Sequence, residues 1–144
     1  MPEQNIKIID GKQQIFCLWR RRYVRLTPEE WVRQQTLSWL EEEYHYPHSR
    51  IAVEQAIRVG DTRKRCDAVV YNEQLQPICI VEFKAEEVQL TQKVFDQVAV
   101  YNRKLKVDCF MISNGLQTYF CRVTNNGYEY LQTIPTYQEL CQKK

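Results

Sequence analysis

Two short stretches of the sequence, residues 65–71 (RCDAVVY) and residues 80–84 (IVEFK), decide the fold expected for this chain. The second stretch overlaps residues 78–81 (ICIV), which are apolar at four successive positions. Such a run is typical of a central strand that is covered on both faces. A strand covered on both faces predicts a sheet between layers of helices.

The charged residues of these stretches have a predictable arrangement. Alternate residues of a strand share a face, so Glu82 and Lys84 are expected to point the same way and Phe83 to the other side. Asp67 is expected to open the preceding strand. If the two strands are neighbours, Asp67 lies close to Glu82.

Two adjacent carboxylates suggest a metal site. At about 4 Å they repel each other by roughly 4 kcal/mol at an effective dielectric of about 20, and a divalent cation removes that repulsion. Mg²⁺ takes one or two carboxylates and keeps several waters, and Lys84 beside it could stabilise negative charge on a reacting phosphate. The alternative is that Glu82 and Lys84 form an ordinary ion pair on a solvated edge strand.

The remaining elements follow from local signals. Asp10-Gly11 predicts a hairpin over the first 18 residues. Thr27, Pro28 and Glu30 form a T-P-x-E helix start, with Glu30 completing a capping box. The predicted helices and strands are a helix from 28 that fades near 46–47, strands over 51–59, 65–71 and 78–84, a helix over 91–105, a strand over 108–113, antiparallel strands after the turns at 114–115 and 126–127, and a short helix near 137.

This order predicts an α/β fold with an αβββαβ core, a mixed central sheet flanked by helices, and extra strands at both ends. A single domain is expected over residues 1–144, with its core at about 20–120.

The second helix carries an apolar stripe that is expected to be Val94, Val98, Tyr101 and Leu105. Gln97 and Tyr101 are spaced i, i+4 and therefore share a face. Tyr101 could belong to the core with Gln97 at its edge, or both residues could line a cleft and contact a substrate backbone.

Taken together, R-x-D, I-V-E-F-K and Q-x-x-x-Y resemble the PD-(D/E)xK nuclease superfamily, with the Q-x-x-x-Y element similar to its RecB-like branch. LTPEEWVRQ (26–34) and YNRKLKVDCFMISNG (101–115) further resemble the N-terminal nuclease domain of type I restriction enzyme R subunits. The resemblance covers roughly residues 20–119. One departure is Cys66, which stands where the superfamily motif has proline.

This resemblance implies a restriction-endonuclease-like domain that hydrolyses DNA with Mg²⁺ or Mn²⁺. It assigns Asp67 and Glu82 as metal ligands and Lys84 as the catalytic lysine. Gln97 and Tyr101 match the pair that contacts the substrate.

Glu30 sits where many members of the superfamily have a first-helix glutamate that joins the metal site, although the capping box already accounts for it. The basic run Arg63, Lys64 and Arg65 leads into the Asp67 strand, so these residues are expected to contact DNA phosphates. Two other functions remain open: a catalytically silent module that binds DNA or a protein partner, and a nucleotide- or RNA-processing enzyme on the same fold.

Composition adds limits rather than a function. A net charge of +2 permits nucleic-acid binding without requiring it. The six cysteines show no C-x-x-C spacing, so reduced thiols in a cytoplasmic protein are expected rather than a zinc site. Neither a signal segment nor a membrane span is predicted. The sequence shows no G-x-x-x-x-G-K-[ST] loop, so any motor or other restriction-modification subunit is expected to be a separate partner, and an oligomer is possible.

Overall fold

A computed structural model describes residues 5–142 of the chain. The strands are β1 (Ile6–Ile9), β2 (Lys12–Cys17), β3 (Arg22–Arg25), β4 (Ile51–Val59), β5 (Thr62–Tyr71), β6 (Pro77–Phe83), β7 (Cys109–Ser113), β8 (Thr118–Val123) and β9 (Tyr128–Tyr130). The helices are α1 (Pro28–Tyr44), α2 (Gln92–Leu105) and α3 (Tyr137–Gln142), with a 3₁₀ turn at His48–Arg50.

The main sheet has six strands in the order β4-β5-β6-β7-β8-β9. Strands β6 and β7 are parallel and the other neighbours are antiparallel. The connection between the two parallel strands is α2, since a parallel pair needs a crossover. The α/β fold and the αβββαβ order are therefore confirmed, with β1–β3 and β8–β9 as the additional strands.

The first helix forms for local reasons. Thr27 has an extended backbone and its Oγ1 accepts a hydrogen bond from the Glu30 amide at 3.0 Å, while Pro28 occupies the first turn. The helix ends at Tyr44 because His45 adopts the left-handed conformation, with φ at 63°, and its amide bonds the Leu40 carbonyl.

Two apolar layers hold the sheet, one on each face. The first face is covered by α1 and α3 and the second by α2, and both layers include residues of β4 to β8. Phe83 belongs to the α1 layer, whereas Ile80 belongs to the α2 layer. The central strand β6 is thus buried on both faces, as its apolar run predicted.

The amino-terminal hairpin forms at Asp10 and Gly11, which both have positive φ angles (53° and 77°). Two positive φ angles suit a tight hairpin turn. The hairpin continues into β3, a strand that the local signals did not predict. Arg22 and Arg25 at the ends of β3 are exposed, so this strand lacks the apolar alternation by which a strand is recognised.

The apolar stripe predicted for α2 is confirmed at Val98 and Leu105 and was wrong at Tyr101. The side chains that α2 buries are Phe95, Val98, Ala99, Asn102 and Leu105. Val94 is half-buried and packs against the same layer, whereas Tyr101 is 42% exposed. The helix is rotated from the predicted orientation because Phe95 packs against Tyr119 and Tyr130 of the sheet.

Within residues 5–142, no helix is long and apolar enough to cross a membrane. The six cysteines form no disulfide. The predicted domain limits, residues 1 and 144, lie outside the described residues, and the single domain stays a prediction.

Candidate active site

Asp67 and Glu82 lie side by side on β5 and β6. The ladder between these strands runs as far as Ala68 and Val81, which places Asp67 and Glu82 at its open end. There the amide of Phe83 donates to Asp67 Oδ2 at 2.8 Å, so the carboxylate takes the place of a backbone acceptor. This bond fixes Asp67 against the strand that carries Glu82.

The Glu82 carboxylate is buried without full compensation. Its side chain is 13% exposed, and Oε2 has no hydrogen-bond partner. The Lys64 ammonium lies 3.7 Å from Oε2, which is an ion-pair distance but too long for a hydrogen bond. Burial, followed by the negative charge of Asp67, raises the pKa of Glu82 to about 7, although Lys64 and Lys84 oppose the shift.

A cleft of about 420 Å³ opens between the sheet and α2 at this point. Glu82 and Lys84 both line it, whereas Phe83 packs on the opposite face of the sheet. The residues lining the cleft are Lys64, Glu82, Lys84, Val94, Gln97, Val98, Val100 and Tyr101. Asp67 does not line the cleft itself, but the Phe83 amide holds its carboxylate on the neighbouring strand.

The Q-x-x-x-Y pair lies on the cleft side of α2. Both Gln97 and Tyr101 are exposed and line the cleft, so the interpretation of Tyr101 as a core residue was wrong. The ammonium groups of Lys64 and Lys104 lie 5.3 Å and 5.9 Å from the centroid of the Tyr101 ring. These distances are within cation–π range.

Glu30 lies apart from the cleft, in a buried network of its own. Its carboxylate accepts hydrogen bonds from Arg20 at 2.5 Å, Arg33 at 2.7 Å and Gln34 at 2.8 Å. Burial by itself would raise the pKa of Glu30, but these hydrogen bonds outweigh it and the pKa is lowered. The capping box is therefore half formed: the Thr27 side chain caps the helix, while the Glu30 carboxylate is bound elsewhere.

Arg33, which no local sequence signal marked as a site residue, joins this network to Asp67. Arg33 Nη1 donates to Glu54 Oε2 at 2.7 Å and to the Asp67 carbonyl at 3.1 Å. Glu54 has a φ of 54°, in the left-handed region that a non-glycine residue rarely adopts. It stands opposite Asp67 between the ladder pairs Val53–Ala68 and Gln55–Cys66.

The left-handed residue Glu54 thus lies opposite Asp67, the residue whose carbonyl accepts a hydrogen bond from Arg33 of α1. In sequence, the sole signal was the position of Arg33 within the LTPEEWVRQ stretch. Its partners lie 21 and 34 residues away, at distances that no local pattern connects.

The basic run before Asp67 divides between two sides of β5. Lys64 lines the cleft. Arg65 instead bonds Glu54 Oε1 at 2.8 Å, and Arg63 is exposed opposite Arg58. The predicted phosphate contacts of Arg63 and Arg65 therefore lie outside the cleft.

The family model described as "Type I restriction enzyme R protein N terminus (HSDR_N)" matches residues 28–135. The chain belongs to this family. The matched region runs from the start of α1 to just before α3 and includes every residue that lines the cleft. No curated protein matches the sequence.

Two solved structures of this type are similar to the chain. One is a fragment of a provisionally assigned HsdR subunit of a type I restriction enzyme from Vibrio vulnificus YJ016, with a TM-score of 0.59 and 21% identity over 81% of this chain. The other is a provisionally assigned nuclease belonging to DUF820 from Anabaena variabilis ATCC 29413, with a TM-score of 0.52 and 13% identity over 99% of this chain.

At these identities the likeness establishes the restriction-endonuclease-like fold. The match spans 25% of the HsdR fragment and 88% of the DUF820 protein.

The two carboxylates of this site, Asp67 and Glu82, suit a cation that needs few protein ligands. Among residues 5–142, no group of three or more His, Cys, Asp or Glu side chains is arranged to hold a metal. Mg²⁺ needs only one or two carboxylates, because it keeps several of its waters. Asp67 and Glu82 meet that requirement. Oε2 of Glu82 has no hydrogen-bond partner and is therefore free to act as a ligand.

Proposed function

We propose that the chain is a divalent-metal-dependent nuclease domain that hydrolyses phosphodiester bonds in DNA. One observation carries the proposal: Glu82 Oε2 is buried, lacks a hydrogen bond and lies beside Asp67 at a cleft lined by lysines. A buried carboxylate left in this state is costly unless a ligand compensates it. Perturbed acids in a cleft are also typical of functional sites.

In this proposal Asp67 and Glu82 hold Mg²⁺ or Mn²⁺. When bound, such an ion polarises a phosphodiester oxygen and makes a bound water more acidic. Lys84 lies in the same cleft and stabilises the negative charge that develops on the phosphate. Lys64 draws the DNA backbone into the cleft, and Gln97 donates to it from α2.

The proposed partners follow from the family. DNA is the substrate, and other subunits of a restriction-modification enzyme, including a separate motor, are the protein partners. The cytoplasm is the corresponding compartment.

A cleavage assay tests the proposal. Plasmid and single-stranded DNA are incubated with Mg²⁺ or Mn²⁺ and the wild-type protein, Asp67→Ala or Lys84→Ala. Cleavage should disappear in both variants, and the melting temperature of Lys84→Ala should stay close to that of the wild type. Asp61→Ala is the matched control, because it removes an exposed carboxylate from the β4–β5 turn. Cleavage by Lys84→Ala at the wild-type rate would remove Lys84 from the mechanism.

A second candidate is a catalytically silent module that binds DNA or a protein partner. It is favoured by the position of Glu30, which is bound to Arg20 and Arg33 instead of joining the two carboxylates. Calorimetry with Mn²⁺ separates the candidates. Binding that is lost in Glu82→Gln supports the nuclease, and no binding at millimolar Mn²⁺ supports the silent module.

A further inference from the structure

The wall of the cleft opposite the lysines is largely apolar. Val94, Val98 and Val100 line it from α2, together with the ring of Tyr101. A surface that recognised phosphates alone would need cations and hydrogen-bond donors at these positions. An apolar wall beside a phosphate site matches the chemistry of a nucleobase, whose faces are apolar and whose backbone is charged.

Tyr101 is well placed for a base to stack on it. The side chain is 42% exposed, although it belongs to a helix whose other face is buried. Lys64 and Lys104 bring two ammonium groups within about 6 Å of the ring centroid. Aromatic rings next to a cationic groove are the usual arrangement for binding single-stranded nucleic acid.

The cations are also distributed as a single strand would require. Lys64 and Lys84 line the cleft, and the ammonium groups of Lys64 and Lys104 both lie within about 6 Å of the Tyr101 ring centroid. The phosphates next to a base that rests on Tyr101 would therefore lie close to these ammonium groups. A base inside a duplex cannot rest on this ring, because its faces are covered by its stacked neighbours.

We infer that this cleft is a binding subsite for one unpaired nucleotide, with the base on Tyr101 and the α2 valines and its phosphate toward Lys64 and Lys84. The substrate class is single-stranded DNA, or a duplex with a frayed or flapped end. Cleavage of a bond beside this nucleotide rests on the proposed nuclease function, whereas binding of the nucleotide does not.

Fluorescence anisotropy without divalent metal tests the binding. The probes are a labelled 15-nucleotide single strand and the same strand in a blunt duplex. The wild type should bind the single strand more tightly. Tyr101→Ala should weaken single-strand binding by roughly 5- to 150-fold, which corresponds to the effect of removing one stacked base contact, and change duplex binding little. Tyr101→Phe keeps the ring and should retain wild-type affinity.

Trp31→Ala is the matched control, since it removes an exposed aromatic side chain (37%) from α1, away from the cleft. A second probe with 2-aminopurine in the single strand should lose fluorescence on binding to the wild type but not to Tyr101→Ala. The subsite is overturned if Tyr101→Ala weakens both DNA forms equally, if it weakens neither, or if the wild type binds no single strand.

These outcomes are separate from those of the cleavage assay. Tyr101-dependent binding without cleavage would keep the subsite and remove the nuclease activity. Cleavage of single and double strands that is equally insensitive to Tyr101→Ala would keep the nuclease and remove the subsite.

Discussion

At the scale of single residues, Glu82 sets the electrostatics of the site. In the folded protein its pKa is about 7, above the ordinary value of 4.5, because it is buried beside Asp67. At pH values between 4.5 and about 7, the folded state therefore binds more protons than the unfolded state. As the pH rises through this window, the free energy of unfolding falls, and it stays lower at pH 8.

Glu82→Gln should consequently stabilise the metal-free protein. The stabilisation should grow from pH 5 to pH 8 and reach about 3 kcal/mol, the free energy that corresponds to the difference between the two pKa values. Urea denaturation in the presence of a chelator measures it at both pH values. Glu87→Gln, which changes an exposed glutamate, is the control and should have little effect. A Glu82→Gln protein no more stable than the wild type at pH 8 would contradict this account of the site.

At the scale of elements, the distortion of β4 and the position of α1 are coupled. Arg33 connects α1 to β4 through Glu54 and to β5 through the Asp67 carbonyl. Its side chain is 11% exposed, and that of Glu30 is 4% exposed. Asp67 is therefore held from two sides, by Arg33 at its backbone and by the Phe83 amide at its carboxylate.

Arg33→Ala should lower the free energy of unfolding by about 3 kcal/mol, because it leaves the buried Glu30 carboxylate short of a partner. It should also weaken Mn²⁺ binding per folded molecule, since Asp67 loses a fixed backbone contact. Urea denaturation and calorimetry at a temperature where the variant is folded measure the two effects.

Arg65→Ala is the control, because Arg65 bonds the same Glu54 but its side chain is 67% exposed. Such an exposed pair contributes less than about 1 kcal/mol. If Arg33→Ala retains wild-type Mn²⁺ affinity, Arg33 stabilises the fold without positioning Asp67.

At the scale of the whole molecule, the cleft carries lysines although the chain as a whole is almost neutral. The net charge is only +2, yet Lys64 and Lys84 line one cleft and Lys104 lies beside its tyrosine. Local attraction for a DNA backbone can therefore exist without a strongly basic chain.

Lys64→Ala should reduce the salt dependence of single-strand binding. One lost phosphate contact lowers the slope of log affinity against log salt by about 0.7 for a single strand. Anisotropy titrations at several salt concentrations give this slope. Lys12→Ala, in the exposed amino-terminal hairpin, should leave the slope unchanged. An unchanged slope in Lys64→Ala would place the Lys64 side chain outside the path of the DNA backbone.

The sequence by itself determined the main elements of this fold. The start of α1 follows from Thr27 and Pro28, and the central position of β6 follows from its apolar run. The expected proximity of Asp67 to Glu82 required only that their strands be neighbours, which antiparallel strands joined by a short connection usually are. All these features depend on residues close together in the chain, so short-range signals were enough.

The tertiary structure alone decided the rest. Tyr101 faces the cleft because Phe95 and Ala99, which the predicted stripe did not include, turn the buried side of α2 away from Tyr101. Arg33 reaches Glu54 and Asp67 across 21 and 34 residues. The pKa of Glu82 depends on burial that α2 and β5 create together. Local patterns set which segments become helices and strands, but side-chain direction and buried charge are set by packing between segments that are distant in sequence.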